Sequence, residues 1–378
     1  MKNELTLAGD RPLEEIFSPL TLWYRANRRA LPWRQDATPY HVWLSEVMLQ
    51  QTRIEAVRPY YARFLAEAPD IAALAALPED RLMKLWEGLG YYSRARNLKR
   101  AACALMEQHG GEMPRDHAAI RALPGIGDYT AGAIASIAFD LPYPAVDGNV
   151  LRVLARLTAD RADVMAPATK KRATERLSLL YAASCRASGD AATLTQALME
   201  LGEVLCLPNR APLCEGCPLA SLCRAREEGC AAALPVRSAK KAKKDCYKLV
   251  LLLSDAEGKY ALCRRPEQGL LGGMWELPHV ELPAPPPTDE ETLDRLAREF
   301  CEQNGLLSFE TAPLPQAKHV FTHLVWWMQG RLVNVGKTKQ ANSSLVFLAP
   351  ADIARNYALP TAFSAYTHLI SDIFSKNG

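Results

Sequence analysis

Apolar residues recur at helical spacing through the first part of the chain. Leu82, Leu85, Trp86 and Leu89 share one face, as do Val150, Val153, Leu154 and Leu157, and each such stripe predicts a helix with a buried side. Pro59, Pro69, Pro78, Pro114, Pro142 and Pro144 divide this region into short helices, because proline ends a helical run. The helical reading covers about Leu13 to Leu222. After Cys223 the pattern changes. Arg224 to Asp245 is rich in alanine and charge, with a Lys240-Lys241-Ala242-Lys243-Lys244 cluster, and reads as a solvated linker. From Tyr247 onward β-rich runs dominate: Lys248 to Leu253, Tyr260 to Arg264, His319 to Met328 and Arg331 to Val335 are predicted strands. One amphipathic helix carries Leu293, Leu296, Ala297 and Phe300 on a single face, after a loop at Ala284-Pro285-Pro286-Pro287. The expected fold class is multidomain: an all-α domain over 1–225, a linker over 226–246 and a smaller α+β domain over 247–378.

A chain of 378 residues can bury two cores. No run approaches the roughly 20 apolar residues of a membrane helix. The opening MKNELTLAGDRPLEE has no signal-peptide core. A cytoplasmic protein without membrane contact is expected, and in that reducing compartment the ten cysteines are thiols or metal ligands. A formal charge of +3 permits nucleic-acid binding without arguing for it.

The candidate chemistry begins at Leu123 to Asn149. Leu-Pro-Gly-Ile-Gly is a glycine-built turn in which Gly125 and Gly127 can take positive φ. It precedes a predicted helix from Tyr129 to Ala138, whose free N–H groups suit a phosphate oxygen. Asp147, before Gly-Asn-Val-Leu-Arg-Val-Leu, reads as a helix N-cap. Cap bonds would keep it ionised, and an ionised acid beside a sugar can stabilise an oxocarbenium-like transition state. Glu46 lies in Trp43-Leu44-Ser45-Glu46-Val47-Met48, apolar almost all round. Burial there raises a carboxyl pKa and suits a proton donor, although a structural ion pair would place a glutamate equally well. Together the two acids form a neutral-and-charged pair suited to N-glycosidic cleavage. Gly88 to Asn97 sets two tyrosines and two arginines on a glycine-led turn, either as packing with solvated cations or as wedges and phosphate contacts.

Cys206, Cys214, Cys217 and Cys223 form C-x7-C-x2-C-x5-C. Four thiolates so spaced can surround one metal centre, and spacing alone leaves zinc and iron–sulfur both open. Arg210 is the basic residue between the first two, facing phosphate or solvent. The other six cysteines have no such spacing and read as core or surface residues.

In combination these motifs resemble the helix-hairpin-helix DNA glycosylase superfamily over nearly the whole chain. The resemblance implies base-excision repair: an adenine mispaired with 8-oxoguanine or guanine in duplex DNA is flipped out and cut at its N-glycosidic bond. Glu46, in SEVMLQQT, would be the general acid. Asp147, in VDGNV, would stabilise the oxocarbenium ion, and Asn149 would help to hold the site. Tyr129 stands where lyase relatives carry a Schiff-base lysine, which implies a monofunctional enzyme. Trp33 and Arg34, in LPWR, match the adenine pocket, while Leu49, Gln51 and Tyr91 match residues that wedge the duplex. The cysteine quartet matches a [4Fe–4S] cluster, with seven residues between the first two ligands where the family has six. The second domain resembles a Nudix-like domain that recognises 8-oxoguanine, carrying Gly269 to Pro278. Aligning the Nudix box puts Ala284 at its first glycine and Gln303 at one of its glutamates, leaving Glu290, Glu299 and Glu302, so pyrophosphate hydrolysis is not expected. Phe321, Thr322 and His323 match a Phe-Ser-His lesion-reading loop. The resemblance further implies a monomer in a bacterial cytoplasm, associated with the nucleoid. The rivals are a lysine-based lyase, which Tyr129 disfavours, and a nonenzymatic damage sensor, which the two retained acids disfavour.

Overall fold

The computed structural model describes residues 6–239, 242–306, 308–336 and 344–375. Lys240 and Lys241 of the expected linker cluster lie outside the described residues. The chain forms two compact units, Met1–Ala76 with Asn97–Ala239, and Leu77–Arg96 with Lys240–Gly378. Residues 77–96, expected with the helical domain, thus group with the second unit.

The first unit is helical. Its core joins Leu13, Ile16, Leu20 and Tyr24 to Val150, Val153, Leu154 and Leu157, and to Leu194, Leu198 and Leu201. Five of its helices position the site. Helix α1, Pro39–Leu49, starts with proline in its first turn, and the Thr38 hydroxyl accepts from His41 N at 3.2 Å, two N-terminal signals acting together. It is buried almost all round, from Val42 to Met48. Helix α2, His117–Ala122, is capped by Asp116, and the Leu123–Gly127 turn leads into α3, Asp128–Ala133. Gly125 has φ +74°, and a Cβ there would stand 2.4 Å from Asn97 Cβ, so glycine is required. Gly127 differs from expectation. Its φ of −94° with ψ 179° is extended, a conformation open to any residue, and a Cβ would meet nothing. The predicted helix to Ala138 continues beyond α3, but Ile134–Ala138 is wound as a π-helix. Helix α4, Gly148–Leu157, buries Val150, Val153, Leu154 and Leu157 as the periodicity predicts. Helix α5, Ala191–Val204, packs against it.

The second unit is built on a seven-stranded mixed sheet. Strands β1 (Lys244–Ser254), β2 (Tyr260–Arg264), β3 (Trp275–Glu276), β4 (His279–Leu282), β5 (Ser308–Val320), β6 (Leu324–Val335) and β7 (Leu345–Leu348) run in the order β3-β2-β1-β6-β5, with β4 on β1 and β7 on β2. β1 lies parallel to β6 from Lys244↔Leu324 to Ser254↔Asn334. It therefore begins at Lys244, inside the expected linker, because pairing with β6 supplies partners for that backbone. Leu249, Leu251 and Leu253 of β1 pack with Leu293, Ala297 and Cys301 of helix α6, Glu290–Gln303. Val250 and Leu252 meet Trp326, Met328, Phe363 and Tyr366. Burial on both faces explains why this strand reads as an unbroken apolar run. The expected single strand from His319 to Met328 is divided: β5 ends at Val320 and β6 begins at Leu324. Phe321 N donates to Leu324 O at 2.9 Å, closing a hairpin there. The strands are antiparallel, with Val320 opposite Val325.

Candidate active site

In the first unit a cavity of about 780 Å³ opens between α1, α3, α4 and α5, and Trp33, Arg34, Glu46, Leu49, Gln51, Tyr129, Asp147 and Asn149 all line it. Eight expected site residues, from segments far apart in sequence, thus share one space. Glu46 is only 7% exposed. Burial pushes its carboxyl up to about 7, Tyr129 and Arg34 pull it down, and the neighbouring Asp147 charge pushes it further up. The Tyr129 hydroxyl donates to Glu46 Oε2 at 2.5 Å. Its own pKa is raised well above the ordinary value by burial and by the Glu46 and Asp147 charges, so it stays a neutral donor. Such a carboxyl exchanges its proton near neutral pH.

Asp147 is the N-cap of α4, accepting from Val150 N at 2.8 Å. The cap is as expected. Its electrostatic consequence is not, because burial raises the Asp147 pKa while the bonds from Val150 N and Asn149 N lower it. Burial outweighs the cap. Asn149 donates through Nδ2 to Glu203 at 3.0 Å and accepts at Oδ1 from Arg152 Nη2 at 2.9 Å.

Sequence reasoning missed the polar wall of the pocket. Glu200 accepts from Arg29 Nε at 2.7 Å, Arg29 Nη2 at 2.9 Å and Arg34 Nη2 at 2.8 Å. Burial works against its ionisation, but these two guanidiniums hold its carboxyl down to about 2. Arg34 also lies over the Tyr24 ring, 5.5 Å from its centroid, and Trp33 meets Tyr61 edge-on at 5.4 Å. A signal was present: Gln196, Glu200 and Glu203 form a polar stripe at helical spacing on the otherwise apolar α5. Gln51, at the cavity, has φ +59°, strained for a side-chain-bearing residue.

The four cysteines stand around a second space, walled by Val153, Leu157, Leu201 and Leu205. The longer first loop is closed at its base by Leu213 N donating to Leu205 O at 2.9 Å, and Cys217 N bonds to Cys214 O. Arg210 is exposed on that loop. Burial pushes the Cys217 thiol up to about 12 and raises Cys214 and Cys223. Arg156 Nη1 lies 3.3 Å from Cys206 Sγ, and its Nη1 and Nε hold the carbonyls of Leu207 and Leu234. Four soft donors with a buried cation beside them suit a thiolate-ligated metal group that carries net negative charge. Among the described residues no three His, Cys, Asp or Glu side chains converge as a single-ion site, and the four sulfurs share a cavity instead.

In the second unit, Tyr91 (φ +48°) reaches Thr322 Oγ1 with its hydroxyl at 3.2 Å. The hairpin at 321–323 anchors Phe321 against Trp326, centroids 4.8 Å apart, and leaves Thr322 and His323 exposed. Of the remaining Nudix-box acids, Glu290 accepts from Arg331 Nη2 at 2.5 Å and Glu299 from Arg295 at 2.8 Å.

A glycine turn between short helices, beside a pocket holding one protonatable and one capped acid, is the arrangement expected of a helix-hairpin-helix DNA glycosylase, and the comparisons with known proteins agree. Residues 44–180 match the HhH-GPD superfamily of base excision DNA repair proteins, and residues 249–369 match the NUDIX domain. The chain is 34% identical to a mouse adenine DNA glycosylase across 81% of itself and 68% of that protein. It is 30% identical to the fission yeast (Schizosaccharomyces pombe) adenine DNA glycosylase across 82% of itself and 80% of that protein. An Arabidopsis thaliana adenine DNA glycosylase is 37% identical across 73% of this chain, which spans half of that protein's length. The chain belongs to the adenine DNA glycosylase family, with a Nudix-like domain after the helical one. Among the described residues no helix is long and apolar enough to cross a membrane.

Proposed function

We propose that the chain hydrolyses the N-glycosidic bond of adenine opposite 8-oxoguanine or guanine in duplex DNA, by a monofunctional route. The observation that carries this reading is the Glu46 carboxyl, poised near pH 7 and facing Asp147 across one pocket. Glu46 gives its proton to a ring nitrogen of the flipped adenine. The C1′–N9 bond then breaks, and its electron pair leaves with the neutral base. Asp147, as carboxylate, faces the cationic sugar until water adds at C1′ and loses its proton to a carboxylate. Arg29, Arg34 and Glu200 form the polar wall that receives the base. No lysine lines the cavity among the described residues, and the Tyr129 phenol cannot form an imine, which supports the monofunctional route.

Cys206, Cys214, Cys217 and Cys223 would hold a [4Fe–4S] cluster, which would tie α5 to the loop that follows it. The shared apolar cavity and the neighbouring Arg156 fit such a thiolate-held group, and iron analysis separates it from zinc. Exposed Thr322 and His323, with Tyr91 bonded to the former, are the groups proposed to read the opposing lesion.

Single-turnover cleavage of duplexes carrying A opposite 8-oxoguanine, G or C tests this. Adenine release is expected opposite 8-oxoguanine and G but not C, with no borohydride-trapped adduct of lyase efficiency. Equal cleavage of all three duplexes, or efficient trapping, rejects it.

A further inference from the structure

Glu200 and Glu203 both line the pocket from α5, yet their surroundings differ. Glu200 is bonded to two guanidiniums. Among the described residues Glu203 has no ion pair, and its hydrogen bond is from a neutral amide, Asn149 Nδ2 at 3.0 Å. The far end of that carboxamide accepts from Arg152 Nη2 at 2.9 Å, so both of its ends are held. A carboxylate can only accept and a guanidinium can only donate, which fixes the orientation of Asn149 chemically. Arg152 is itself held by Gly202 O and Cys206 O. Glu203 is thus an acceptor that locks the first turn of α4, whose N-cap is Asp147, and a negative charge with no ion pair among the described residues, felt at longer range by Arg29.

We infer that Glu203 is a positioning residue for adenine release: its carboxylate fixes the Asn149 carboxamide and sets a second negative charge on the sugar side of the pocket, beside Asp147. This rests on the proposed glycosidic chemistry. Negative charge near the breaking bond favours a cationic sugar over the neutral ground state. It also works on Asp147 itself, whose charged neighbours are Arg152 on α4, Glu203 on α5 and Glu46 on α1, with the Tyr129 phenol on α3. Of these Arg152 lowers the Asp147 pKa and Glu203 raises it, beneath the larger effect of burial.

The test is the pH–rate profile of adenine release under single turnover, with duplex binding measured alongside, for the full chain and two variants. Glu203→Gln keeps an acceptor for Asn149 and removes the charge. Its rate at neutral pH should fall by about threefold as the charge is lost, while the acid limb moves to lower pH because Asp147 then ionises more readily. Glu203→Ala removes both and should lose about tenfold in rate, the scale of one hydrogen bond to a charged group, with binding unchanged. A parent profile reproduced by both variants overturns the inference, as does an acid limb that fails to move in Glu203→Gln. Absence of adenine release by the parent chain would instead reject the glycosidic reading on which the inference stands.

Discussion

Replacing Glu46 by glutamine should stabilise the first unit at alkaline pH while abolishing catalysis. In the folded chain burial raises this carboxyl from its ordinary 4.5 to about 7. The folded state therefore holds the proton more tightly than the unfolded state does. The associated stability is fully present below about pH 4.5 and is lost as pH rises through about 7. A shift of roughly 2.5 units corresponds to about 3 kcal/mol, of which about 2.5 kcal/mol falls between pH 5 and pH 8. Glutamine occupies nearly the same volume, accepts the Tyr129 hydroxyl through its amide oxygen and never ionises. The advantage of the variant should thus grow across this window. Amide exchange of the peptide covering Pro39–Leu49, corrected for the intrinsic pH dependence of exchange, reads the local opening free energy in both proteins. A difference between them that stays constant from pH 5 to pH 8 would refute the argument, because it would mean Glu46 titrates alike in folded and unfolded chains.

Three further outcomes follow from the same geometry. Tyr129→Phe removes the donor that lowers the Glu46 pKa, so the alkaline limb of adenine release should move up by about one pH unit; a limb that stays or moves down contradicts this. Glu200→Gln leaves Arg29 and Arg34 without their counter-charge and should cost on the order of 3 kcal/mol near neutral pH. Because the folded Glu200 carboxyl is held down to about 2, that contribution is present above about pH 4.5 and fades as pH falls toward 2, so urea denaturation should show the two proteins converging in acid. Iron analysis with visible absorption spectroscopy should find about four irons per chain, and serine at Cys217 should lower both iron content and thermal stability.

Much of the candidate site was legible in sequence because its signals are local. Asp147 announces itself as a cap through the residues that follow it, and Glu46 stands out as one charge in an apolar helix. The cysteine quartet is recognisable from spacing alone. What stayed hidden depends on partners distant in the chain. Glu200 bonds to Arg29 and Arg34 across intervals of 171 and 166 residues, which no local pattern encodes. The raised Asp147 pKa escaped for the same reason, since capping is visible in sequence and the depth of burial is not. The division of His319–Met328 was missed because Phe-Thr-His continues an alternating pattern, and only the pairing of β5 with β6 makes it a turn. Gly127 shows the opposite error: two glycines in one motif suggested one backbone requirement, and only Gly125 meets it.

That hairpin separates two kinds of selection on the second unit. Phe321 is held by Trp326, and β6 is locked to β1 along its length, so changes there are paid for in folding. Thr322 and His323 are exposed beyond this frame, and neither belongs to the cores on the two faces of the sheet. Under the proposed reading, the preference for one opposing base over another is set at two exposed positions and can change with little cost to the packed sheet beneath them.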